Sequence, residues 1–454
     1  MPHPQSPLSR RAMLRHCGTG VGMLGLSSIL QAETQREQRG KNPLAPRAPH
    51  FPARAKHVIF LFMNGGPSHV DTFDPKPALK THEGKQGKRG KFMPSPFTFD
   101  KYGESGIEMC ELYPHLSRNA DDLCVIRSMH TTTPNHEPGL LMMNSGHQQP
   151  IRPCLGSWLT YGLGSENQNL PGFVVLCPGK PVVGPALWNN SFLPGIYQGT
   201  HINNSKIDPS NVIGHLRNNY LTPGSQRSVL DLMQKLNRRH QNVRKEDQAL
   251  EARIQSLEIA YRMQSEAQQA FDVSRESKET LEMYGDGEFS NGCLIARRLV
   301  ERGVRMVQLY YGSGQPWDAH GDIMDHKRDA GKSDQGIGAL ITDLKARGLL
   351  DETLIVWGGE FGRTPGAQGA KGRDHHNTGF TVWLAGGGAK GGYIHGATDE
   401  VGEIAVEKRM SVHDLHATIL HLMGIDHEEL TYRYSGRDFR LTDVHGIVTE
   451  DLIA

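Results

Sequence analysis

The sequence lacks an excess of charge of either sign. Its 454 residues include 50 Lys and Arg against 49 Asp and Glu, for a formal net charge of +1. A balanced chain gives no electrostatic reason to expect nucleic acid or an anionic membrane surface as a partner. No segment is apolar for long enough to cross a bilayer, so we expect no stable membrane span.

Cysteine is scarce and scattered. The six cysteines form no Cys-x-x-Cys pair, which argues against a zinc ribbon or a redox motif. Without Cys17, which lies in a leader-like N-terminal segment, five remain, and an odd number argues against a full disulfide framework. We therefore expect the chain to fold in a reducing compartment before export.

The N-terminus has the layout of an export signal. Arg10 and Arg11 precede a short, glycine-rich, mildly apolar segment, which is typical of a twin-arginine signal. We predict a signal peptide over residues 1–32 and a polar linker over residues 33–55, with a disordered basic tail as the alternative. The twin-arginine (Tat) export machinery is then a partner, and the location is periplasmic or extracellular.

Six short apolar runs predict the strands of one sheet. The first, Val58–Met63, is continuously apolar and is ended by Asn64-Gly65-Gly66, as expected of a buried parallel strand. Helical stretches separate several runs, which predicts a doubly wound α/β domain over residues 56–454, with a mostly parallel sheet flanked by helices. The other runs lie in DDLCVIRSM, GFVVLCP, VRMVQLYYG, ETLIVWGGEFG and GFTVWLAGGG.

A helical segment interrupts this alternation. Residues 226–284 contain no proline or glycine and have apolar residues at helical spacing, which predicts one long helix or a helical pair. Because the segment falls between two strands, we group it with the loop before it as an insertion over residues 182–284. The insertion either covers the sheet or shapes a substrate site.

A second helix is predicted near the C-terminus. The segment SVHDLHATILHLMGI begins with a cap at Ser411 or Asp414, carries apolar residues at helical spacing, and ends at Gly424. We expect it to pack on the core. Its three histidines are predicted to be structural or surface residues rather than metal ligands.

Polar residues cluster after the predicted strands. In open α/β sheets this is the edge where ligands bind. Carboxylate and imidazole groups without thiolates suit zinc, manganese or another divalent ion. The clusters are Asn64 with Ser68, His69 and Asp71; Thr131–His136; Asp318 with His320, Asp322 and His326; Glu360; and Asp374 with His375 and His376.

The threonines of the second cluster raise two alternatives. An alcohol is almost fully protonated at neutral pH, and metal coordination lowers its pKa enough for attack on phosphorus or sulfur. Alternatively, Thr131 or Thr132 caps the helix that follows, with Pro134 in its first turn. One residue can have both roles.

At TTPNH, Thr132–His136, the chain resembles the alkaline phosphatase superfamily. The segment is similar to the nucleophile segment of the nucleotide pyrophosphatase/phosphodiesterase branch, which implies Thr132 as nucleophile and Asn135 as an oxyanion-stabilising amide. Thr132 also occupies the position of the sulfatase cysteine, so a formylglycine is excluded there. His136 occupies the position of the sulfatase arginine, which implies a catalytic role for it.

Further motifs extend the resemblance over most of the chain from Lys56. They identify it as a member of domain of unknown function 1501, a bacterial exported family grouped by fold with sulfatase-like and phosphatase-like proteins. The resemblance implies an alkaline-phosphatase-like fold without assigning an activity. The motifs are FMNGGPSHVDTFDPKP, WDAH, GEFGRTP, GRDH and LAGGGAKGG, with DLHATILHLMGI similar to the late helix of sulfatases.

Two positions depart from the superfamily's metal pattern. The place of the first metal aspartate is taken by Asn64, a neutral and poorer ligand. The place of a later Asp-His pair is taken by Glu360-Phe361, so one imidazole is missing. The resemblance therefore implies a site for one ion better than a site for two.

The remaining ligand positions are retained. Asp318 and His320 resemble the other metal pair but are spaced more tightly than usual, which leaves His326 as an alternative partner. His375 resembles the last metal histidine. The predicted metal ligands are Asp318, His320, Glu360 and His375.

We therefore predict a metal-dependent hydrolase of sulfate or phosphate esters. Thr132 would attack the ester, a divalent ion (Zn, Mn, Mg or Ca) would activate it, and Asn135 with Asn64 would steady the oxyanion. The substrate would be an anionic ester, such as a sulfated or phosphorylated glycan. The alternative, which Asn64 and Phe361 favour, is a non-catalytic, degenerate member that binds an anionic glycan or a secreted partner.

Two further interpretations are weaker. A serine hydrolase built on Ser68 and His69 would lack a G-x-S-x-G elbow. The glycine-rich segment Leu384–Gly392 lacks the Lys-Ser/Thr ending of a phosphate loop, and its glycines fit a turn before Tyr393.

Overall fold

The computed structural model describes residues 43–205 and 266–454, with scattered positions between 222 and 262. The predicted signal peptide lies outside these residues, as does a large part of the predicted insertion between residues 206 and 265. At the end of the insertion, the chain leaves a helix after Phe271 and enters another at Lys278. No helix among the described residues is both long enough and apolar enough to span a bilayer.

Seventeen strands and seven α-helices have bounds within the described residues. The strands are β1 His57–Phe62, β2 Phe99–Tyr102, β3 Ile107–Cys110, β4 Leu123–His130, β5 Phe173–Leu176, β6 Thr200–Ile202, β7 Met306–Tyr310, β8 Thr353–Gly358, β9 Gly362–Gln368, β10 Gly372–His376, β11 Phe380–Ala385, β12 Tyr393–His395, β13 Ala397–Thr398, β14 Ala405–Glu407, β15 Met410–Ser411, β16 Tyr432–Tyr434 and β17 Arg437–Phe439. The helices are α1 Ala78–Thr81, α2 His136–Ser145, α3 Leu155–Leu163, α4 Lys278–Tyr284, α5 Glu288–Glu301, α6 Asp325–Ala346 and α7 Val412–Leu422.

A nine-stranded sheet forms the centre of the fold. Its order is β12-β4-β11-β8-β1-β7-β5-β6, with β15 pairing to β4. The six predicted strands all lie in it, as β1, β4, β5, β7, β8 and β11. Strand β6 also belongs to this sheet, although it falls within the range grouped with the insertion.

The direction of β11 decides where the polar clusters meet. Six of the eight strand pairings in the sheet are parallel, and both antiparallel pairings involve β11, with β4 and with β8. The N-terminal end of β11 therefore lies at the edge where β1, β4, β7 and β8 have their C-terminal ends. The hairpin β9–β10, which directly precedes β11, is brought to that same edge.

Helices cover both faces of the sheet, which confirms the α/β prediction. Alternate side chains of β1 point to opposite faces, with Ile59 and Leu61 in one core and Phe60 and Phe62 in the other. Helices α5 and α6 pack in the first core, and α2, α3 and α7 pack in the second. Each fully buried side chain of this size contributes about 1.5–3 kcal/mol.

Helix α7 begins and ends as the sequence predicts. The Ser411 hydroxyl accepts a hydrogen bond from the Asp414 backbone, and the Asp414 carboxylate accepts one from the Ser411 backbone. The helix stops at Leu422, two residues before Gly424, which has a φ of +75°. The Nε2 atom of His416 lies 2.9 Å from the Met143 carbonyl oxygen, so this histidine ties α7 to α2.

The glycine-rich segment Leu384–Gly392 lies at the C-terminal end of β11, opposite the edge that collects the polar clusters. Its Gly387 has a φ of +55°, and a Cβ atom there would lie 2.7 Å from the Leu354 backbone nitrogen. The segment is a turn packed against β8, as its composition predicts, and not a phosphate loop.

His416 gives a testable link between stability and pH. Burial lowers the pKa of this fully buried imidazole to about 4, from an ordinary value of 6.5. Between these values the unfolded chain binds a proton that the folded chain does not, so stability falls as the pH falls, by at most about 1.4 kcal/mol per pH unit. In EDTA-treated protein, the urea unfolding free energy of His416→Gln should depend less steeply on pH between 6.5 and 4.5. Equal slopes for the variant and the parent would contradict this assignment.

Candidate metal centre

Four side chains converge at the edge of the sheet where β1, β4, β7 and β8 have their C-terminal ends. They come from the start of α2 after β4, from the loop after β7, and from β10. Each offers one nitrogen or oxygen atom, and among the described residues these atoms all lie within 4.8 Å of one another. The group consists of His136, Asp318, His320 and His375.

The spacing of these atoms matches a tetrahedral ligand set. Asp318 Oδ1 lies 3.3 Å from His136 Nε2, 2.9 Å from His320 Nε2 and 3.4 Å from His375 Nε2. Ligand atoms about 2.1 Å from a common zinc ion are separated by about 3.4 Å along the edges of a tetrahedron. The contacts of Asp318 Oδ1 with the three imidazoles are therefore of the length expected between ligands of one small divalent ion.

Two of these atoms are buried and poorly hydrogen-bonded. His136 Nε2 and Asp318 Oδ1 are both inaccessible to solvent, and their 3.3 Å contact with each other and the 2.6 Å contact of Asp318 Oδ1 with Arg363 lack good hydrogen-bond geometry. A buried polar atom whose hydrogen bonds are poorly formed is destabilising. Coordination of a divalent ion would satisfy both atoms at once, so the residues present fit such an ion.

Glu360 orients His136 rather than joining the group. Its carboxylate is fully buried, its Oε1 atom lies 2.6 Å from His136 Nδ1, and it accepts a hydrogen bond of 3.0 Å from the Gly65 backbone. His136 Nδ1 thus donates to a carboxylate and leaves Nε2 free to bind a metal, an arrangement common around protein metals. The sequence predicted a catalytic role for His136 and a ligand role for Glu360; in the structure His136 offers a ligand atom, and Glu360 lies behind it.

The other histidines are also oriented. His320 Nδ1 is hydrogen-bonded to the side-chain oxygen of Gln368, at the end of β9, so its Nε2 faces the group. His375 lies in β10 on the partner strand of the same hairpin, and its Nε2 atom is 2.9 Å from His320 Nε2. In the absence of an ion this contact is a hydrogen bond in which one imidazole donates to the other, and a metal would displace the shared proton.

Phe361 forms an apolar wall beside the imidazoles. Its ring is buried and lies 4.9 Å, centroid to centroid, from both His136 and His375. A Cβ atom at Gly139 in α2 would come within 3.2 Å of this ring, so the glycine allows the close packing. The residue in the place of a missing imidazole therefore excludes water from one side of the centre.

Arg363 contacts the carboxylate of the group directly. It is fully buried in β9, its Nη2 atom lies 2.6 Å from Asp318 Oδ1, and its Nε atom donates to the Gly66 carbonyl at 2.9 Å. Burial raises the pKa of Asp318, but hydrogen bonds from His136 and His375 and the charge of Arg363 hold it far below its usual range. Asp318 is therefore ionised.

Charge also determines the protonation of His136. Burial lowers the pKa of this imidazole, but the hydrogen bonds to Asp318 and Glu360 outweigh that effect and raise it above its ordinary value. Without a metal ion, the two carboxylates thus favour the protonated, cationic form of His136. A metal ion and a proton compete for the same Nε2 atom.

A second buried ion pair anchors the hairpin β9–β10. Arg373 binds Asp71 through two contacts, of 2.6 Å and 3.1 Å, and both side chains are fully buried. The Ser68 hydroxyl donates to the same carboxylate at 2.5 Å, and His69 Nε2 instead lies 2.9 Å from the Gly402 carbonyl oxygen. Ser68 and His69 therefore do not form the nucleophile and base of a serine hydrolase.

Asn64 holds the loop that carries Asp318. It is fully buried after β1, and its amide donates to the carbonyl oxygens of Gly312 at 2.9 Å and Gly314 at 2.6 Å. Both amide hydrogens are therefore used, and none is left for an oxyanion. The oxyanion role predicted for Asn64 is corrected to that of a loop tether.

Thr132 and Asn135 lie just before α2, but the helix begins later than expected. His136 is its first residue, Asn135 occupies the cap position without a capping side-chain bond, and the Thr133 hydroxyl accepts from the Asn135 backbone at 3.2 Å. Neither Thr131 nor Thr132 caps the helix. The exposed Thr132 hydroxyl accepts a hydrogen bond of 2.7 Å from Gln148.

His326 is excluded as the partner of Asp318. This residue lies in α6, is fully buried, and accepts a 2.9 Å hydrogen bond from the Ser68 backbone through Nε2. Burial lowers its pKa to about 3, so it is neutral at physiological pH. Of the two histidines left open by the sequence, His320 is the one in the group.

A family model covers nearly the whole described chain. Residues 55–453 match the family whose description reads "Protein of unknown function (DUF1501)". The chain belongs to this family. The description assigns no activity, so the chemistry of this DUF1501 protein has to be inferred from its own residues. No curated protein matches the chain.

Solved structures similar to this DUF1501 protein are distant from it in sequence. The PsFucS1 sulfatase from Pseudoalteromonas sp. is 14% identical over 92% of this chain and 74% of its own, with a TM-score of 0.36. The phosphonate monoester hydrolase SpPMH from Silicibacter pomeroyi is 12% identical over 82% and 73%, with a TM-score of 0.34. A protein in the alkaline phosphatase superfamily from Vibrio parahaemolyticus is 10% identical over 85% and 70%, with a TM-score of 0.35. Similarity at this level does not bear on the reaction.

Three residues of the DUF1501 centre were missed by sequence reasoning. Arg363 and Arg373 fall within the motifs GEFGRTP and GRDH, where an arginine between glycine-rich strands is a signal for a buried ion pair. Gln368 carries no signal of its own, because any residue at the end of β9 could support His320 or point away from it.

Substitution of Glu360 tests the orientation of His136. The Glu360→Gln variant keeps the size of the side chain but removes the charge that holds His136 Nδ1 as a donor. We expect the affinity for Zn²⁺ to fall by about 10–100-fold, as for other partners of metal-bound histidines, measured by competition with a chelating dye. The control is Glu83→Gln, at an exposed position after α1. Unchanged affinity in Glu360→Gln would contradict the assigned role.

Proposed function

We propose that this DUF1501 protein is an exported, metal-dependent hydrolase of sulfate or phosphate esters. The observation that carries the proposal is the convergence of three imidazoles and one carboxylate at distances that suit a single ion. The surrounding polar groups support it, because Glu360 and Gln368 orient two of the imidazoles from behind. The proposed export rests on the twin-arginine layout of residues 1–32.

The proposed ligands are His136, Asp318, His320 and His375. A divalent ion held by them supplies Lewis-acid polarisation of an ester's oxygens and neutralises part of its charge. The protein's own groups prepare the centre for this. Phe361 excludes water from one side, and Arg363 adds a fixed positive charge that would also favour an anionic ester.

We assign Thr132 as the nucleophile. Its hydroxyl is exposed and accepts a hydrogen bond from Gln148, so its own proton is not committed to that bond. Attack would form a bond from Thr132 Oγ1 to phosphorus or sulfur as the ester oxygen leaves with a proton as an alcohol. Water would then release the phosphate or sulfate and restore the hydroxyl. The Asn135 amide, which makes no side-chain hydrogen bond among the described residues, is available to donate to the oxyanion.

One contact favours the second candidate, a non-catalytic protein that binds an anionic glycan or a secreted partner. The 2.6 Å ion pair from Arg363 to Asp318 gives the carboxylate a permanent cationic partner. Asn64 holds the loop that carries Asp318, and Arg363 balances the charge of its carboxylate. A centre with these two features would be stable without a metal ion. Metal content separates the two candidates.

We expect about one equivalent of a divalent metal in protein purified from the periplasm without a chelator. The four donor atoms lie within 4.8 Å of one another, and the described residues contain no second group of this kind, with Asn64 used as a tether and Phe361 apolar. Elemental analysis by mass spectrometry for Zn, Mn, Mg and Ca measures this. His375→Ala should lose the metal, whereas the control His147→Ala, outside the group, should keep it. Absence of metal from the parent protein would favour the non-catalytic candidate.

Substitution of Thr132 tests the nucleophile. On an aryl phosphate or aryl sulfate cleaved by the parent, Thr132→Ala should lower kcat/KM by a factor on the order of 10³ or more, as the loss of a nucleophile does in other hydrolases. Thr132→Ser should retain part of the activity, because it keeps a hydroxyl.

The matched control is Thr131→Val, which removes a neighbouring hydroxyl that is buried and has no hydrogen-bond partner in the described part of the chain. This variant should remain active. Full activity in Thr132→Ala would show that another group attacks the ester.

A further inference from the structure

A basic loop lies beside the metal centre. Residues 85–91, KQGKRGK, contain four exposed cations and no acid, in a chain whose net charge is only +1. None of these cations has a carboxylate within ion-pair distance among the described residues, whereas many other surface cations do, such as Lys56 with Glu352 and Lys408 with Asp451. The four are Lys85, Lys88, Arg89 and Lys91.

The basic loop is attached to the hairpin that carries His375. The Arg89 Nη1 atom donates to the His375 carbonyl at 2.8 Å, and the Ala367 backbone donates to the Lys91 carbonyl at 2.8 Å. Gly90 has a φ of +82°, and a Cβ atom there would lie 2.2 Å from the Ala367 carbonyl oxygen, so only glycine allows this approach. The cations are therefore held next to the centre by backbone contacts.

The nearby polar groups do not neutralise the loop. Glu403 accepts a hydrogen bond of 3.0 Å from the Lys88 backbone, and Lys85 Nζ lies 3.3 Å from His82 Nδ1. The four side chains therefore keep their positive charges, and Arg89 also donates to the His375 carbonyl. Four like charges within seven consecutive residues act together on an approaching polyanion at moderate ionic strength.

We propose that the basic loop binds further anionic groups of the substrate, and that the substrate is a glycan carrying several sulfate or phosphate groups. This inference rests on the proposed ester hydrolase, since the centre would take one ester group while the loop takes its neighbours. The loop offers point charges and no aromatic ring on which a base could stack, which favours a glycan over a nucleic acid.

Binding of labelled oligosaccharides tests this proposal without requiring turnover. The probes are a fluorescent heparin hexasaccharide, a phosphorylated oligosaccharide of similar length, a neutral oligosaccharide, and a single-stranded DNA. Fluorescence anisotropy gives the Kd of each probe across a series of salt concentrations. The test variant is Lys85→Gln/Lys88→Gln/Lys91→Gln, which leaves Arg89 and its contact with the His375 carbonyl in place.

The control variant is Lys101→Gln/Lys278→Gln/Lys332→Gln, which removes the same charge from exposed positions in β2, α4 and α6. Circular dichroism and metal content confirm that both variants are folded. We expect the parent to bind the sulfated or the phosphorylated probe, and whichever it prefers identifies the anionic group. The test variant should bind that probe at least about tenfold more weakly, and the log–log salt slope should fall by roughly two to three.

Three results would overturn the proposal: equal affinities in the two variants, equal binding of the neutral probe, or tighter binding of DNA than of either anionic glycan. The proposed hydrolase fails separately, if the parent cleaves no sulfate or phosphate ester in the presence of any tested metal. The binding result still decides the role of the basic loop in that case.

Discussion

The candidate centre depends on one topological constraint, the reversal of β11 within an otherwise parallel sheet. Parallel strands deliver their C-terminal ends to one edge, and the reversed strand delivers its N-terminal end to that edge as well. The hairpin β9–β10 is thereby packed against the loops after β1, β4 and β7. His375, Arg363 and the attached basic loop all reach the centre through this hairpin.

Buried charge is balanced in pairs around this hairpin. Arg363 meets Asp318, and Arg373 meets Asp71, with three of these four side chains fully buried. A buried charge left without its partner costs several kcal/mol, so these pairs require the hairpin to be packed against the segments after β1 and β7. The pair with Arg363 also restricts the position of the Asp318 carboxylate. A metal centre at this edge therefore has ligands that are oriented before an ion binds.

The sequence predicted most of the sheet and three of the four grouped side chains. Alternation of apolar strands with helices is a local pattern, and each strand is buried on both faces, so its run is continuous and easily recognised. The Ser411 cap and the left-handed Gly424 likewise depend on neighbouring residues alone. The contact between His136 and Glu360 was not predictable, because those residues are 224 positions apart in the chain.

The sequence itself determined the residue types, the order of the strands along the chain and the membership in the DUF1501 family. Each of these is encoded within short segments. Which polar atoms face one another was decided only by the tertiary structure. Asn64 follows a strand as a catalytic amide would, yet its two amide hydrogens are used by Gly312 and Gly314 in a loop about 250 residues away. A side chain has a small, fixed number of donors and acceptors, and the fold determines which partners use them.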